Sequence, residues 1–125
     1  MKKPVTVLVV DDNPANLKLA CDLLSMEGFE VLRATDAQSC LNVLMTVLPD
    51  IILMDVAMPG MDGLQLTRHL KSMDHTRSIK IIAFTAFAMK SDKDRVMSAG
   101  CDGYITKPID TRKFANELRQ YLHNG

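Results

Sequence analysis

The chain has 125 residues, of which 47% are hydrophobic and 24% are charged, an ordinary balance for a globular protein. Its fifteen basic and fifteen acidic residues cancel to a formal net charge of zero, which argues against a general attraction to nucleic acid or to an anionic membrane. No apolar stretch approaches the roughly 20 residues of a membrane-spanning helix, and the start of the chain lacks the pattern of a secretory signal. We therefore expect one cytoplasmic domain over residues 1–125, with a core from about Val5 to Leu122.

The cysteines and histidines do not form the clusters that bind metals. The three cysteines are far apart and include no C-x-x-C pair: Cys21, Cys40 and Cys101. The three histidines are equally dispersed: His69, His75 and His123. We interpret the cysteines as small core residues of a protein from a reducing compartment. A metal site built on sulfur or imidazole is not expected.

The first two elements in the chain are a strand and a helix. Val5–Val10 is an apolar run apart from Thr6, which is typical of a strand buried on both faces. Asn13 followed by Pro14 predicts the N-cap and first residue of a helix. Gly28 provides a natural end to this helix. Its apolar face recurs with helical spacing: Leu17, Ala20, Cys21 and Leu24.

The next three elements are a weaker strand, a helix and a strongly apolar strand. Phe29–Leu32 is the weaker strand candidate, and Thr35–Gln38 has the pattern of a capping box with Thr35 as the N-cap. Pro49 ends the second helix, and Ile51–Met54 is again short, unbroken and apolar. The predicted apolar face of the second helix consists of Leu41, Leu44, Met45 and Leu48.

The second half of the chain repeats this alternation twice. Ile81–Phe84 predicts the fourth strand and Gly103–Thr106 a weaker fifth one. A helix from Met89 to Ser98 has few large apolar residues, so it should bury little and lie at the low-stability end of the structure. The third and fifth predicted helices, by contrast, have clear apolar faces: Leu66, Leu70 and Met73 in the third, and Phe114, Leu118, Tyr121 and Leu122 in the fifth.

Five strands that alternate with five helices predict a (βα)₅ fold. With right-handed crossovers, such a chain forms a doubly wound, three-layer α/β sandwich around a parallel sheet. Sites in sheets of this kind lie outside the carboxyl ends of the strands, near the point where the strand order reverses. The polar residues of interest should therefore follow the strands.

Polar residues do follow four of the five predicted strands. They are Asp11 and Asp12 after the first strand, Asp55 after the third, Thr85 after the fourth and Lys107 after the fifth. Three carboxylates at one rim would repel each other unless a cation lay between them. Oxygen ligands favour a hard ion such as Mg²⁺, for which Mn²⁺ could substitute. With an ammonium group and a hydroxyl nearby, this set suits the transfer of a phosphoryl group.

Asp55 is our candidate for the nucleophile, because it alone ends the central buried strand and carboxylates can form acyl phosphates. Asp11 and Asp12 are better suited as metal ligands. Taken singly, these residues have plainer interpretations: Asp12 a helix cap, Asp55 a turn residue, Thr85 a strand residue and Lys107 a solvated lysine. Their joint occurrence, in order and at successive strand ends, favours the functional interpretation.

The sequence resembles the receiver (response-regulator) domain family of two-component systems over nearly its whole length. The matching segments are Asp11-Asp12, Leu53–Gly63, Thr85-Ala86 and Gly103–Pro108. Thr85–Lys90, with Cys101 and Tyr104 further on, is similar to single-domain receivers of the DivK type. The resemblance implies a flavodoxin-like sheet with the strand order 2-1-3-4-5.

The resemblance also implies roles for individual residues. Asp55 would accept the phosphoryl group and, with Asp12, would bind Mg²⁺ through its side chain. Asp11 would act on the metal mainly through water, and Ala57 would contribute its backbone carbonyl. The phosphoryl oxygens would be bound by the Thr85 hydroxyl and the Lys107 ammonium. The peptide bond before Pro108 would be cis, although sequence statistics alone favour trans.

Such a protein would be a switch and not a conventional enzyme. In the family, Thr85 would move toward the phosphate and Tyr104 would turn inward, which changes the face formed by the fourth helix, fifth strand and fifth helix. Expected partners are a sensor histidine kinase or histidine phosphotransfer protein, a downstream effector, and a second copy through that face. Because no DNA-binding effector fits after Leu122 in the sequence as given, we expect the chain to act by contacting other proteins, either as a stand-alone regulator or as the receiver of a hybrid kinase or a longer regulator. Ala57 and Phe87 offer no polar group to attacking water, which predicts slow to moderate self-dephosphorylation.

Three other classes of protein fit less well. A haloacid-dehalogenase-type phosphatase would carry a second aspartate where this chain has Ala57. A flavodoxin or dinucleotide-binding protein would need a glycine-rich loop in place of Asp11–Pro14. A degenerate receiver that binds proteins without phosphorylation would lack one of the key residues. This chain has them all, and the degenerate receiver is the main alternative.

Overall fold

The computed structural model describes residues 4–56, 62–86 and 90–123. The predicted alternation of five strands and five helices is confirmed. In chain order the elements are β1 (Thr6–Val10), α1 (Pro14–Met26), β2 (Glu30–Ala34), α2 (Ala37–Leu44), β3 (Ile51–Asp55), α3 (Gly63–Ser72), β4 (Lys80–Thr85), α4 (Lys90–Ser98), β5 (Gly103–Thr106) and α5 (Phe114–His123).

The five strands form one parallel sheet in the order β2-β1-β3-β4-β5. This is the predicted order, and β1 and β3 lie beside each other at the point where the chain reverses its direction across the sheet. All five residues of β3 are buried, since helices cover both faces of the sheet.

Two hydrophobic cores fill the space between the sheet and its helices. On one face, Leu44 of α2, Leu66 of α3 and Val96 of α4 belong to one cluster with residues of the sheet. On the other face, Leu17 of α1 and Phe114 of α5 belong to a second cluster. The predicted three-layer sandwich is therefore confirmed.

The ends of α1 follow the sequence signals. Asn13 is the N-cap, and its side chain accepts hydrogen bonds from the backbone N–H groups of Ala15 (3.0 Å) and Asn16 (3.1 Å). At the other end Gly28 has φ +89°, a left-handed conformation that costs glycine little. The N–H of Phe29 then reaches back to the carbonyl of Leu24, which closes the helix.

The predicted beginning of α2 was wrong by one residue. Asp36, not Thr35, is the N-cap: its carboxylate accepts a 2.7 Å hydrogen bond from the N–H of Ser39, and the Ser39 hydroxyl accepts from the N–H of Asp36. A carboxylate is the stronger acceptor at the positive end of a helix, so it outcompetes the neighbouring threonine.

The predicted end of α2 was also wrong. The helix stops at Leu44, so Met45 and Leu48 do not extend its buried face and are 82% and 55% exposed. The chain tightens here because the hydroxyl of Thr46 donates to the carbonyl of Val43, which competes with the helical hydrogen bonds. The segment then turns toward β3, where Asp50 N–H bonds to the Thr6 carbonyl.

The expectation that α4 buries little is confirmed. Val96 is the only buried residue among Lys90–Ser98, and Met97 is 49% exposed. Met89, which was predicted to begin this helix, lies outside the described residues. None of the helices in the described parts of the chain is long and apolar enough to cross a bilayer.

Candidate functional site

The strand register brings the predicted site residues to one rim of the sheet. Val10 of β1 pairs with Met54 of β3, so the next residues of the two chain segments, Asp11 and Asp55, lie side by side. Asp55 in turn pairs with Phe84, next to Thr85 at the end of β4. Lys107 lies beyond β5, where its N–H donates to the carbonyl of Thr85 at 2.7 Å. The carboxyl ends of four strands thus meet at one place.

Two of the three aspartates are buried at this rim. Asp11 is fully buried and Asp55 is 2% exposed, whereas Asp12 is exposed. One oxygen of Asp11, Oδ1, accepts a 2.9 Å hydrogen bond from the N–H of Asn13. Its other oxygen, Oδ2, is buried and has no hydrogen-bond partner. Buried carboxylate oxygens are normally hydrogen-bonded, so this oxygen, which has only the longer ion pair with Lys107 at 3.5 Å, is a suitable ligand atom for a cation.

Lys107 supplies the positive charge of the site. Its ammonium nitrogen lies 3.4 Å from Oδ1 of Asp55 and 3.5 Å from Oδ2 of Asp11, and it also stands 4.9 Å above the ring of Phe84. One ammonium group cannot balance three carboxylates, so the site retains a net negative charge.

The aspartates fit a hard divalent cation. One oxygen from each of Asp11, Asp12 and Asp55 can be chosen so that all three lie within 4.8 Å of one another. The donors are all oxygen, one is an unsatisfied buried oxygen, and the net charge is negative. These properties suit a site for a hard divalent ion such as Mg²⁺.

Gly63 allows α3 to begin directly against the end of β3. A Cβ atom added to Gly63 would overlap the carbonyl oxygen of Asp55 and come within 2.8 Å of the Cα of Val56. The helix is capped by Asp62 and Gln65, whose side chains each accept from the other's N–H, at 2.8 and 3.1 Å. Sequence reasoning did not find this contact. The glycine just after the Asp62 cap was the available signal.

The remaining predicted residues have the following positions. Thr85 is 4% exposed at the end of β4, and Tyr104 is half-buried in β5. The peptide bond between Lys107 and Pro108 is cis. Ala57 and Phe87 lie outside the described residues.

The cysteines lie away from the site and carry no charge at neutral pH. All three are free and buried. Burial raises the pKa of the Cys40 thiol to about 12 and that of Cys101 to about 11. Neutral, enclosed thiols of this kind pack as small apolar groups, as the sequence predicts.

Comparison with known proteins identifies the class that this fold and site define. The sequence pattern of the response regulator receiver domain matches residues 7–119. The chain belongs to the response regulator receiver domain family, which confirms the resemblance drawn from its motifs.

The relatives of the chain include response regulators of the DivK type. The chain is 41% identical over 119 residues to the polar-differentiation response regulator DivK of Brucella anthropi, which covers 95% of this chain and 97% of that protein. It is 40% identical over 117 residues to DivK of Brucella ovis, with coverage of 94% and 95%.

Solved structures agree with this assignment. The receiver domain of the sensor histidine kinase PA1611 from Pseudomonas aeruginosa PAO1 is 28% identical, with a TM-score of 0.85 and coverage of 96% and 98%. That structure holds a magnesium ion in its active site cleft. A CheY-like receiver domain protein from Methanospirillum hungatei JF-1 is also 28% identical, with a TM-score of 0.85 and coverage of 96% and 94%.

Proposed function

We propose that this protein is a phosphorylation switch that accepts a phosphoryl group on Asp55 in a Mg²⁺-dependent reaction. The observation that carries the proposal is the position of the Asp55 carboxylate. It is buried at the rim of the sheet, 3.4 Å from the Lys107 ammonium and grouped with Asp11 and Asp12. A carboxylate in this setting is shielded from bulk water and lies beside the Lys107 ammonium, which can neutralise part of the charge of an incoming phosphate.

Asp11, Asp12 and Asp55 would hold the Mg²⁺ ion. When bound, the ion would neutralise charge on the phosphoryl oxygens and so permit the approach of two anions. The magnesium ion in the receiver domain of PA1611 supports this assignment by likeness. The backbone carbonyl of Ala57 remains a proposed ligand from the family pattern.

The chemistry needs one bond to form and one to break. An oxygen of Asp55 bonds to phosphorus while the P–N bond of a phosphohistidine breaks, and the electron pair of that bond stays on the imidazole nitrogen. Lys107 would pair with one phosphoryl oxygen, and the Thr85 hydroxyl would donate to another. Later attack of water on phosphorus would break the bond to Asp55 and release inorganic phosphate. Because Ala57 and Phe87 have apolar side chains, we expect this reset to be slow to moderate.

The output would be a change of shape and not a released product, so we class the protein as a switch. Thr85 would move toward the phosphate and Tyr104 would turn inward, which alters the face made by α4, β5 and α5. Phosphorylation can shift this equilibrium only as far as it stabilises one state more than the other. The sparse packing of α4, with only Val96 buried among its described residues, suits a movable element.

We further propose the partners and the location. The phosphoryl donor would be a sensor histidine kinase or a histidine phosphotransfer protein. The recipient of the signal would be an effector protein or a second copy of the chain. The buried free thiols of Cys21, Cys40 and Cys101 suit a reducing compartment, which favours the cytoplasm. The alternative of a phosphorylation-independent binding module finds no support in the site, since no key residue is replaced.

The test is the intact mass of the protein after incubation with acetyl phosphate and Mg²⁺. We expect one added phosphoryl group, which is absent in Asp55→Asn and in the presence of EDTA. Asp74→Asn is the matched control, since it makes the same chemical change at a carboxylate that is 92% exposed. If acetyl phosphate fails, a phosphorylated histidine phosphotransfer protein is the second donor. Failure with both donors would reject the switch in favour of the binding module.

A further inference from the structure

Tyr104 is held by contacts from two different helices. The ammonium nitrogen of Lys93 in α4 lies 5.0 Å from the centre of its ring. The hydroxyl of Tyr121 in α5 accepts a hydrogen bond from the Tyr104 N–H at 3.3 Å and donates one to the Tyr104 carbonyl at 3.0 Å. One contact thus acts on the side chain and the other on the backbone.

The backbone contact fills the open edge of the sheet. Lys107 donates to the Thr85 carbonyl, and successive residues of a parallel strand point their backbone groups to alternate sides. The N–H and C=O of Tyr104 therefore point away from β4, to the side where the described residues form no further strand. Tyr121 satisfies both groups with one hydroxyl, which protects an edge that would otherwise be unpaired.

Two further contacts fix Tyr121 itself. Its ring lies so close to Gly103 that a Cβ atom there would overlap it. The ammonium group of Lys80, at the start of β4, donates to the Tyr121 carbonyl at 2.5 Å. The backbone at Tyr104 is therefore anchored by contacts that do not involve its own ring.

The contact between Lys93 and the Tyr104 ring acts on the side chain and not on the backbone. Lys93 is a flexible, half-buried side chain on the helix that buries little. An ammonium group is attracted to the face of an aromatic ring, and this attraction is lost when the ring turns away. Lys93 thus stabilises the observed position of the Tyr104 ring.

We propose that Lys93 is a positioning residue that holds the switch in its resting state, with the Tyr121 hydroxyl as the fixed point about which the Tyr104 ring turns. This inference rests on the proposed phosphorylation switch. Because a group that favours one state lowers the affinity of any ligand that favours the other, removal of the Lys93 charge should tighten the binding of a phosphoryl analogue. The strength of partly exposed contacts of this type corresponds to a change of roughly two- to fivefold.

The experiment measures the affinity of the protein for beryllofluoride in the presence of Mg²⁺. The chain has two tyrosines and no tryptophan, so its intrinsic fluorescence reports on Tyr104 and Tyr121. We expect Lys93→Met to bind two- to fivefold more tightly than wild type. Lys90→Met removes the same charge from an exposed position on the same helix and should bind like wild type. Lys93→Arg, which keeps a cation for the ring, should also restore the wild-type affinity.

The outcomes separate this inference from the function on which it rests. If wild type responds to beryllofluoride but Lys93→Met behaves like Lys90→Met, Lys93 does not position Tyr104 and the inference is overturned. If Lys90→Met tightens binding equally, the effect is one of general charge, which also overturns it. If wild type gives no response, the phosphorylation switch fails and this inference fails with it.

Discussion

Gly63 lies directly against the backbone carbonyl of Asp55. The two residues are eight positions apart, yet the absence of a side chain at Gly63 is what allows α3 to begin beside the end of β3. The proposed phosphorylation site and the start of a helix therefore share one tight backbone contact. Any group larger than hydrogen at position 63 must move one of them.

Gly63→Ala should destabilise the protein and disturb the site together. Overpacking against backbone atoms that cannot rotate away costs about 1–3 kcal/mol or more. Urea denaturation would measure the loss, and phosphorylation by acetyl phosphate would measure the effect on Asp55. Gly28→Ala is the matched control, because an added Cβ there has open space around it and meets only the cost of its φ of +89°. An equal loss of stability in both variants would contradict the close contact.

Lys107→Met should separate metal binding from phosphorylation. Without the ammonium, Asp11 and Asp55 lose the cation 3.5 and 3.4 Å away, so Mg²⁺ should bind more tightly. Phosphorylation should nevertheless slow by roughly 10²-fold, because a group that neutralises phosphoryl charge is gone.

Calorimetric titration of Mg²⁺ and the rate of mass gain with acetyl phosphate test these two effects. Lys18→Met is the control, since that lysine is 73% exposed and forms a surface ion pair with Asp22. Weaker Mg²⁺ binding in Lys107→Met would show that Lys107 supports the metal and does not compete with it.

Asp36→Ala should lower the melting temperature more than Thr35→Ala. The hydrogen bonds from the N–H and the hydroxyl of Ser39 hold the pKa of the Asp36 carboxyl below its usual value. The stabilisation is therefore present above the ordinary pKa of 3.8 and is lost as the pH falls through the lowered value in the folded protein. Thermal unfolding from pH 7 to pH 2 would follow this loss. A larger effect of Thr35→Ala would restore Thr35 as the N-cap.

Cys40 should make the protein less stable at alkaline pH. Burial raises its pKa from 9.0 to about 12, so between these values the unfolded chain loses a proton that the folded chain keeps. Each such pH unit costs up to about 1.4 kcal/mol of unfolding free energy. The stability difference between wild type and Cys40→Ala, measured by urea denaturation, should be constant below about pH 9 and shrink above it. A difference that stays constant to pH 11 would refute the raised pKa.

Much of this fold could be predicted because its signals are local. The run Val5–Val10 is apolar except for Thr6, and Ile51–Met54 is apolar throughout; such runs are typical of strands covered on both faces. The Asn13-Pro14 pair begins α1, and Gly28 ends it, since each acts on backbone groups within one helical turn. The error at the start of α2 arose because two polar neighbours, Thr35 and Asp36, competed for one cap. The error at its end arose because the Thr46 hydroxyl bonds to the Val43 carbonyl and competes with the helical hydrogen bonds.

The residues of the candidate site could be predicted from the sequence for a related reason. In a parallel sheet, the residues after the strands lie at one rim, so Asp11, Asp55 and Lys107 could be grouped from the sequence alone. The distances between these side chains could not be predicted from the sequence. Whether the Lys107 ammonium reaches both carboxylates depends on side-chain conformations and on the stagger of β1, β3 and β5.

The amino-acid sequence alone thus determined the class of fold, the order of its elements and the chemical groups at the rim, because periodicity and strand-end position are properties of the chain itself. The tertiary structure decided the contacts that join distant segments. Tyr121 meets the backbone of Tyr104 across 17 residues, and Lys71 meets Asp102 across 31. Such pairs have no local signature, since their energy exists only after the sheet and helices have packed.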